Sequence, residues 1–360
     1  VAAQQFVSIQ FSNITKNLSL VALASCLFGS GTAFAQDVIV HGNVDAISEL
    51  IDAEGWFGEQ NAEQKLEVPR ILITGMPEDW QRVSAGIPAS KKKEIFYSFM
   101  LPLIVQANEL VRDRRAKLED MDARLAKQQQ LRPDEYEWLG ELVVLLRIPS
   151  ASGGLPESVP EQRRIIAEAL YKLDVIPAGL VLGQGAYESG YGTSRFAVQA
   201  NAFFGQWTFD GDGIVPMRQR KNLGDYRIAA YASPFDSVRG YYASINSHPA
   251  YENFRRLRAE SRAAGKPLSS LELAEGLGSY SELGQEYVGT LQSIIRVNKL
   301  NAADGAVFRD EPMRFFVIDD DVEAAEQLQA KIEELRKAGK LQEVSLFDRI
   351  IERMQLEYEL

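Results

Sequence analysis

Apolar positions recur at helical intervals over most of this 360-residue chain. From Ser90, "SKKKEIFYSFMLPLIVQANELVRDRRAKLEDMDARLAKQQQ" places Ile95, Phe96, Phe99, Leu103 and Val111 on one face. That spacing predicts a long helix with a kink at Pro102 and a charged, solvated C-terminal part. "RPDEYEWLGELVVLLRI" predicts another helix that starts near Asp134 and ends before Pro149. "EQRRIIAEALYKLDVIP" and "AGLVLGQGAYES" read as two helices meeting at Pro177. "FDSVRGYYASINSHPAY", "SLELAEGL" and "GQEYVGTLQSIIRVNKL" supply three more. "VPRILIT" at 68–74 is a short strand or an extended approach to Pro77, and "IVPMRQRKNLGDYRIAAYASP" reads as a small basic β-lobe. The Pro-, Ser- and Gly-rich "PSASGGLPESVP" at 149–160 marks a linker. The expected organisation is a helical region over 36–150, a mainly α (α+β) domain over 151–305, and a charged helical tail over 306–360.

The first 35 residues follow a different pattern. Lys16 is their single charge and precedes an apolar run, Leu18 to Phe28, too short to cross a bilayer. "TAFAQ" then offers Ala33 and Ala35 as a small-x-small cleavage site, so residues 1–35 read as a signal peptide. "LASC" at 23–26 also resembles a bacterial lipobox, which would make Cys26 a lipidated first residue and bring the protein to a membrane. Either way the expected location is the periplasm or cell envelope.

Composition narrows the chemistry. The formal charge of -11 argues against general nucleic-acid binding. One cysteine, Cys26, and two histidines, His41 and His248, leave little for a zinc site, a disulfide scaffold or a Ser/His/Asp hydrolase. No phosphate-binding G-x-x-x-x-G-K-[ST] loop or G-x-S-x-G elbow appears, and neither a metal nor a cofactor is indicated.

Residues 183–209, "GQGAYESGYGTSRFAVQANAFFGQWTF", hold five glycines, four phenylalanines, two tyrosines and a tryptophan, but one carboxylate, Glu188. Glu188 shares a helix face with Val181 and Gln184, near the negative end of that helix. Desolvation there would hold its proton more tightly, as a general acid requires. Flanking Gly185, Gly190 and Gly192 would let a bulky substrate approach, and the rings would suit sugar faces. A helix-capping glutamate beside an aromatic core explains the same residues.

"AYESGYGTSRFAVQANAFFGQWTF" resembles the signature of the bacterial glucosaminidase family of the lysozyme superfamily, in its Bax-like branch. The likeness continues through "YASPFDSVRGYYASINSHPAYENFRRLR" and "LGSYSELGQEYVGTLQSIIRVNKL", covering about residues 155–302. It implies a lysozyme-like helical domain that cleaves peptidoglycan glycan strands, with Glu188 as catalytic acid. Ser189, Gly190 and Gly192 match the motif that closes the catalytic helix, Ser194 and Arg195 the turn beyond it. Asn201, Phe204, Gly205 and Trp207 match the cleft wall, and Gln206 lies among them. Tyr191 stands where tryptophan is common and keeps the ring. On this reading Ser189, Tyr191, Ser194, Asn201, Phe204, Gln206 and Trp207 bind substrate.

A second catalytic group is less evident. Glycosidases use two carboxylates, or one together with the substrate's 2-acetamido group. Asp225 in "NLGDYR" is the first candidate, ahead of Asp210, Asp212 and Asp236, each of which is equally a solvated loop or cap residue. Tyr231 in "AAYASP" stands where related enzymes position the reacting sugar, or is a core tyrosine. Residues 210–266 hold ten Lys or Arg against six Asp or Glu, which suits an anionic polymer. The leading expectation is an exported hydrolase of β-1,4 bonds next to N-acetylglucosamine. A lytic transglycosylase on the same polymer and a non-catalytic wall-binding protein are the alternatives.

Overall fold

A computed structural model of the chain describes residues 37–41, 43–55, 65–149, 155–209, 213–217, 219 and 224–318, together with 323, 326, 327, 330, 334 and 337. The expected signal peptide, Cys26, the centre of the expected linker, Asp210 and Asp212 lie outside these residues.

The fold is mainly α, as expected, and is organised around one long helix. The elements run β1 (Asp37–His41), α1 (Val44–Glu54), β2 (Glu67–Val68), β3 (Ile71–Ile73), α2 (Trp80–Gly86), α3 (Ala89–Ala126), α4 (Pro133–Leu145) and α5 (Val159–Lys172). There follow α6 (Ala178–Ser189), α7 (Arg195–Ala200), β4 (Trp207–Thr208), β5 (Gly213–Ile214) and β6 (Arg227–Ala229). The last are α8 (Pro234–Ser247), α9 (Glu252–Ala263), α10 (Ser270–Leu273), α11 (Gln285–Val297), β7 (Val307–Phe308) and β8 (Arg314–Ile318).

Helix α3 is buried far more completely than its one apolar face suggested. It continues through Pro102 as a single 38-residue element, and every residue from Ile95 to Asn108 is buried. A helix buried on all sides belongs inside a core, and α5, α6, α8 and β3 pack against α3. Pro102 thus sits within a fully buried stretch of the helix. The charged end beyond Val111 keeps one buried stripe, Leu118, Met121 and Leu125, as a surface helix should.

The segment after residue 305 begins as strand rather than charged helix. β8 is the central strand of a three-stranded sheet, parallel to both β1 and β3, so Arg314 aligns with Asp37 on one side and Ile71 on the other. β7 pairs in parallel with β2. Arg314 adds a two-pronged contact to Glu54, at 2.6 and 3.0 Å. Deleting residues 306–360 would therefore remove the middle of this sheet. Beyond it, Glu323, Glu326, Gln327, Ala330, Glu334 and Lys337 are helical and exposed.

Two devices place α6. On the α11 side, Gly183 lets the helices approach closely: an added Cβ would lie 3.0 Å from Ile295 and 3.1 Å from Leu291. Before α6, the turn at 172–176 is gripped by α9. The Arg258 guanidinium, 1% exposed, donates to the carbonyls of Lys172 and Asp174 and to Asn246 Oδ1. Arg262 makes a bidentate pair with Asp174 at 3.0 and 2.9 Å. The backbone carbonyls that would lack partners before a buried helix are thus satisfied by side chains.

Candidate active site

Helix α6 ends where Gly190 adopts the left-handed conformation and its N–H caps onto the Ala186 carbonyl. Glu188 projects from this last turn. Burial pushes its carboxyl up to about 7, against the opposing effect of one hydrogen bond. That bond comes from Tyr287 of α11, whose hydroxyl donates to Oε1 at 3.0 Å.

Tyr287 is itself held. The Gln184 amide, fully buried one turn before Glu188, donates to the Tyr287 oxygen at 2.9 Å. Its carbonyl oxygen accepts from the Tyr241 hydroxyl. The chain runs in one direction, Tyr241 to Gln184 to Tyr287 to Glu188. Tyr280 stacks on Tyr287 with centroids 5.7 Å apart and donates to the Phe204 carbonyl at 2.7 Å. Burial raises the pKa of Tyr241, Tyr251, Tyr280 and Tyr287, and the field of Glu188 adds to it, so all four stay neutral. A carboxyl facing neutral phenols, with no cation among its hydrogen-bond partners, keeps its proton.

The other carboxyl oxygen lies beside Gly205. Gly205 has φ +62°, and a Cβ there would stand 3.2 Å from Oε2 of Glu188. Glycine is needed here twice over, for the backbone conformation and for the space beside the acid.

The residues expected to bind substrate divide into two groups. Near Glu188, Gln206 follows Gly205 directly and accepts a hydrogen bond from the Tyr231 hydroxyl. Asn201 donates to the Tyr231 carbonyl at 3.1 Å, and Tyr231 N–H to the Ala200 carbonyl at 2.9 Å. Burial raises the Tyr231 pKa, with the field of Asp236 adding to it. Trp207, half-buried, stacks on Tyr226 with centroids 4.3 Å apart. Asp225 is exposed, just before β6.

The second group serves the scaffold. Ser189 is fully buried: its hydroxyl donates to the Gly185 carbonyl at 2.5 Å and accepts from Gly192 N–H at 2.8 Å. It braces the loop and cannot touch a ligand. Phe204 is 1% exposed and stacks on Tyr241 at 4.4 Å, which makes it core. Ser194 caps α7 by accepting from Ala197 N–H at 3.1 Å. Tyr191 meets Phe96 and Tyr97 of α3 edge to face, and its carbonyl accepts from Trp80 Nε1 at 3.1 Å. Arg195 donates to the Val215 carbonyl. Asp236 accepts from Ser233 Oγ and Arg239 at the start of α8.

The basic excess over 210–266 also takes a different form from the one expected. Arg255 and Arg258 are each 1% exposed and bind backbone carbonyls. Arg256 pairs with Glu260, Arg262 with Asp174 and Arg239 with Asp236. Among the described residues, these five cations are each engaged with a carbonyl or carboxylate, while Arg227 and Lys266 are exposed. Sequence reasoning missed Tyr287, Tyr241 and Tyr280 as neighbours of the acid. A signal was present: a lone glutamine inside "AGLVLGQGA" must find buried partners.

The glucosaminidase family profile, described as mannosyl-glycoprotein endo-beta-N-acetylglucosaminidase, matches residues 164–300. Protein bax of Escherichia coli (strain K12) is 31% identical over 133 residues, which cover 36% of this chain and 46% of that protein. The match therefore spans less than half the length of that relative. No solved structure matches. The segment from α5 to α11 that encloses Glu188 is thus similar to the glucosaminidase family and to protein bax.

Proposed function

We propose that the protein is an exported peptidoglycan hydrolase that cleaves β-1,4 bonds next to N-acetylglucosamine, with Glu188 as general acid. The observation that carries this reading is the Glu188 carboxyl itself, raised to about 7 by burial and fixed at one oxygen by Tyr287. Because Tyr287 donates to Oε1, that oxygen is an acceptor, and the acidic proton belongs on Oε2. Oε2 is the oxygen beside Gly205, whose lack of a Cβ leaves room at 3.2 Å.

In this scheme Oε2–H protonates the glycosidic oxygen as the bond to C1 breaks through an oxocarbenium-like transition state. Negative charge then appears on Glu188 at the moment it is needed, and the Tyr287 hydrogen bond strengthens onto it. The positive sugar is met by the substrate's own acetamido oxygen or by water activated by a second carboxylate. Asp225 stays the candidate for that role. Tyr231 and Gln206, linked through the Tyr231 hydroxyl, are positioned to orient the sugar, and Trp207 to pack against it. We assign cleavage to the domain over 151–305, export to residues 1–35, and the site of action to the periplasm or cell envelope.

Mass spectrometry of fragments released from purified peptidoglycan tests the reading, with Glu188→Gln as control. Reducing N-acetylglucosamine ends that vanish in the variant support it. Anhydro-muramic ends lost in the same variant make the protein a lytic transglycosylase. No release by either protein sinks the enzymatic reading.

A further inference from the structure

Gln184 is fully buried on α6, one turn before Glu188, and is bonded on one side to α8 and on the other to α11. A side-chain amide has fixed polarity, because its nitrogen donates and its oxygen accepts, whereas a tyrosine hydroxyl turns to do either. The Gln184 nitrogen donates to the Tyr287 oxygen at 2.9 Å, so the Tyr287 hydrogen is directed onto Glu188 Oε1 at 3.0 Å. Turned over, the amide would present its oxygen to Tyr287 and take that hydrogen. Glu188 would then have to donate to Tyr287, which places its proton on Oε1 and away from Gly205. Tyr241 opposes that turn. Its hydroxyl donates to the Gln184 oxygen, its one hydrogen-bond partner among the described residues. A reversed amide would leave that buried hydrogen without an acceptor. Both rings are held in place, Tyr241 by stacking on Phe204 at 4.4 Å and Tyr287 by stacking on Tyr280 at 5.7 Å.

We propose that Gln184 is a positioning residue for the reaction: oriented by Tyr241, it fixes Tyr287 as a donor to Oε1 and so leaves the acidic proton on Oε2. The proposal rests on the reading of Glu188 as general acid and adds what selects the oxygen that carries the proton. A glutamine that only tied α8 to α11 would serve in either orientation, but the acid needs one of them. Each bond also polarises the next, so the N–H of Gln184 makes Tyr287 a stronger donor. The titratable groups whose fields reach Glu188 are Tyr241, Tyr251, Tyr280 and Tyr287, and burial keeps all four neutral. Freed from the amide, Tyr287 is a weaker donor and can accept from the protonated acid. Both changes favour the protonated form.

NMR titration of the glutamate carboxyl carbons in the full chain tests the proposal without requiring cleavage, with Glu188→Gln identifying the resonance. In the parent, Glu188 should titrate near about 7, and Tyr287→Phe should move that titration to higher pH. Gln184→Met keeps the size and removes the amide, and should move it the same way, by up to the shift that Tyr287→Phe produces. Tyr241→Phe removes a single oxygen and frees the amide to turn, and should produce a smaller shift of the same sign. In the Tyr287→Phe background neither change should add anything, because the effect passes through that hydroxyl. The alkaline limb of glycan release should follow the titration in each variant. A lowered thermal midpoint with an unmoved titration in Gln184→Met is the result of a purely structural glutamine and would overturn the proposal. If Gln184→Met does not fold, an unmoved titration in Tyr241→Phe has the same force, as does a further shift in the Tyr287→Phe background. Titrations as expected with no glycan release at any pH would instead sink the general-acid reading, and with it the catalytic meaning of an intact relay.

Discussion

Two carboxyls at the two ends of α6, Asp174 buried and Glu188 half-buried, show how one chemical group is given opposite characters. Asp174, 4% exposed, lies before the helix, and Arg262, Arg258 and Arg115 hold its carboxyl below the usual carboxylate range despite burial. Glu188 lies at the other end, receives one phenolic hydrogen bond and no cation, and is pushed up to about 7. Burial works in the same direction on both. The number of cations within reach decides which becomes a fixed ion and which a proton carrier. Asp304 shows that a raised value alone does not mark a site. Burial lifts it to about 6, yet it accepts from Gly179 N–H and Ser270 N–H and ties α6 to α10.

This contrast can be broken most severely at its functional end. Glu188→Gln should lower glycan release by roughly 10²- to 10⁴-fold, the usual contribution of a general acid, while the thermal midpoint is held or rises. Asp174→Ala should do the reverse. Breaking a buried ion pair leaves Arg258 and Arg262 without their counter-charge, so chemical denaturation should show a loss of about 3 kcal/mol or more. The fraction that remains folded should keep its cleavage products.

Gly205→Ala probes the space in front of the acid. The left-handed backbone alone costs roughly 1–2 kcal/mol for a residue with a Cβ, readable as a lowered unfolding midpoint. The methyl, 3.2 Å from Oε2, should reduce release further than that loss of stability explains.

The pH dependence sharpens the comparison. Glu188 is held above its unfolded value of 4.5, so the folded state binds its proton more tightly. That contribution is complete below 4.5 and is lost as pH rises through about 7. Asp174 is held below 3.8, so its contribution is present above 3.8 and is lost as pH falls toward the folded value. Glu188→Gln should therefore gain stability relative to the parent as pH rises from 4.5 to 7, and a parallel loss of both proteins over that window would count against the assignment. Activity should fall on the alkaline side of about 7 as the acid loses its proton. The smallest effect is expected from Tyr287→Phe. Its hydrogen bond lowers the Glu188 value, so its removal should move the alkaline limb to higher pH, with a stability loss of about 1 kcal/mol.

Much of this was legible in the chain. Pro177, the apolar run that follows and Gly190 define α6, and a single acid in a glycine- and ring-rich stretch singles out Glu188. What local pattern could not supply was the side to which each neighbour turns. Ser189 and Glu188 are adjacent, yet one is sealed in the core and the other reaches the opening, because a helix rotates about 100° per residue. The charge excess over 210–266 carried no sign of direction, yet Arg255 and Arg258 turn inward to carbonyls that only the packed chain brings within reach.

The sequence by itself determined the helical elements, the break before α6, and the acid at the end of that helix, since these depend on spacing, proline, glycine and charge over a few residues. Only the tertiary structure decided that Tyr287, 99 positions away, fixes Oε1 of that acid. It alone decided that β8 returns to lie between β1 and β3, and that Arg258 rather than solvent satisfies the turn before α6. Those outcomes follow from burial: once the core closes, each polar group inside it must find whichever partner the packing brings near, however distant in sequence.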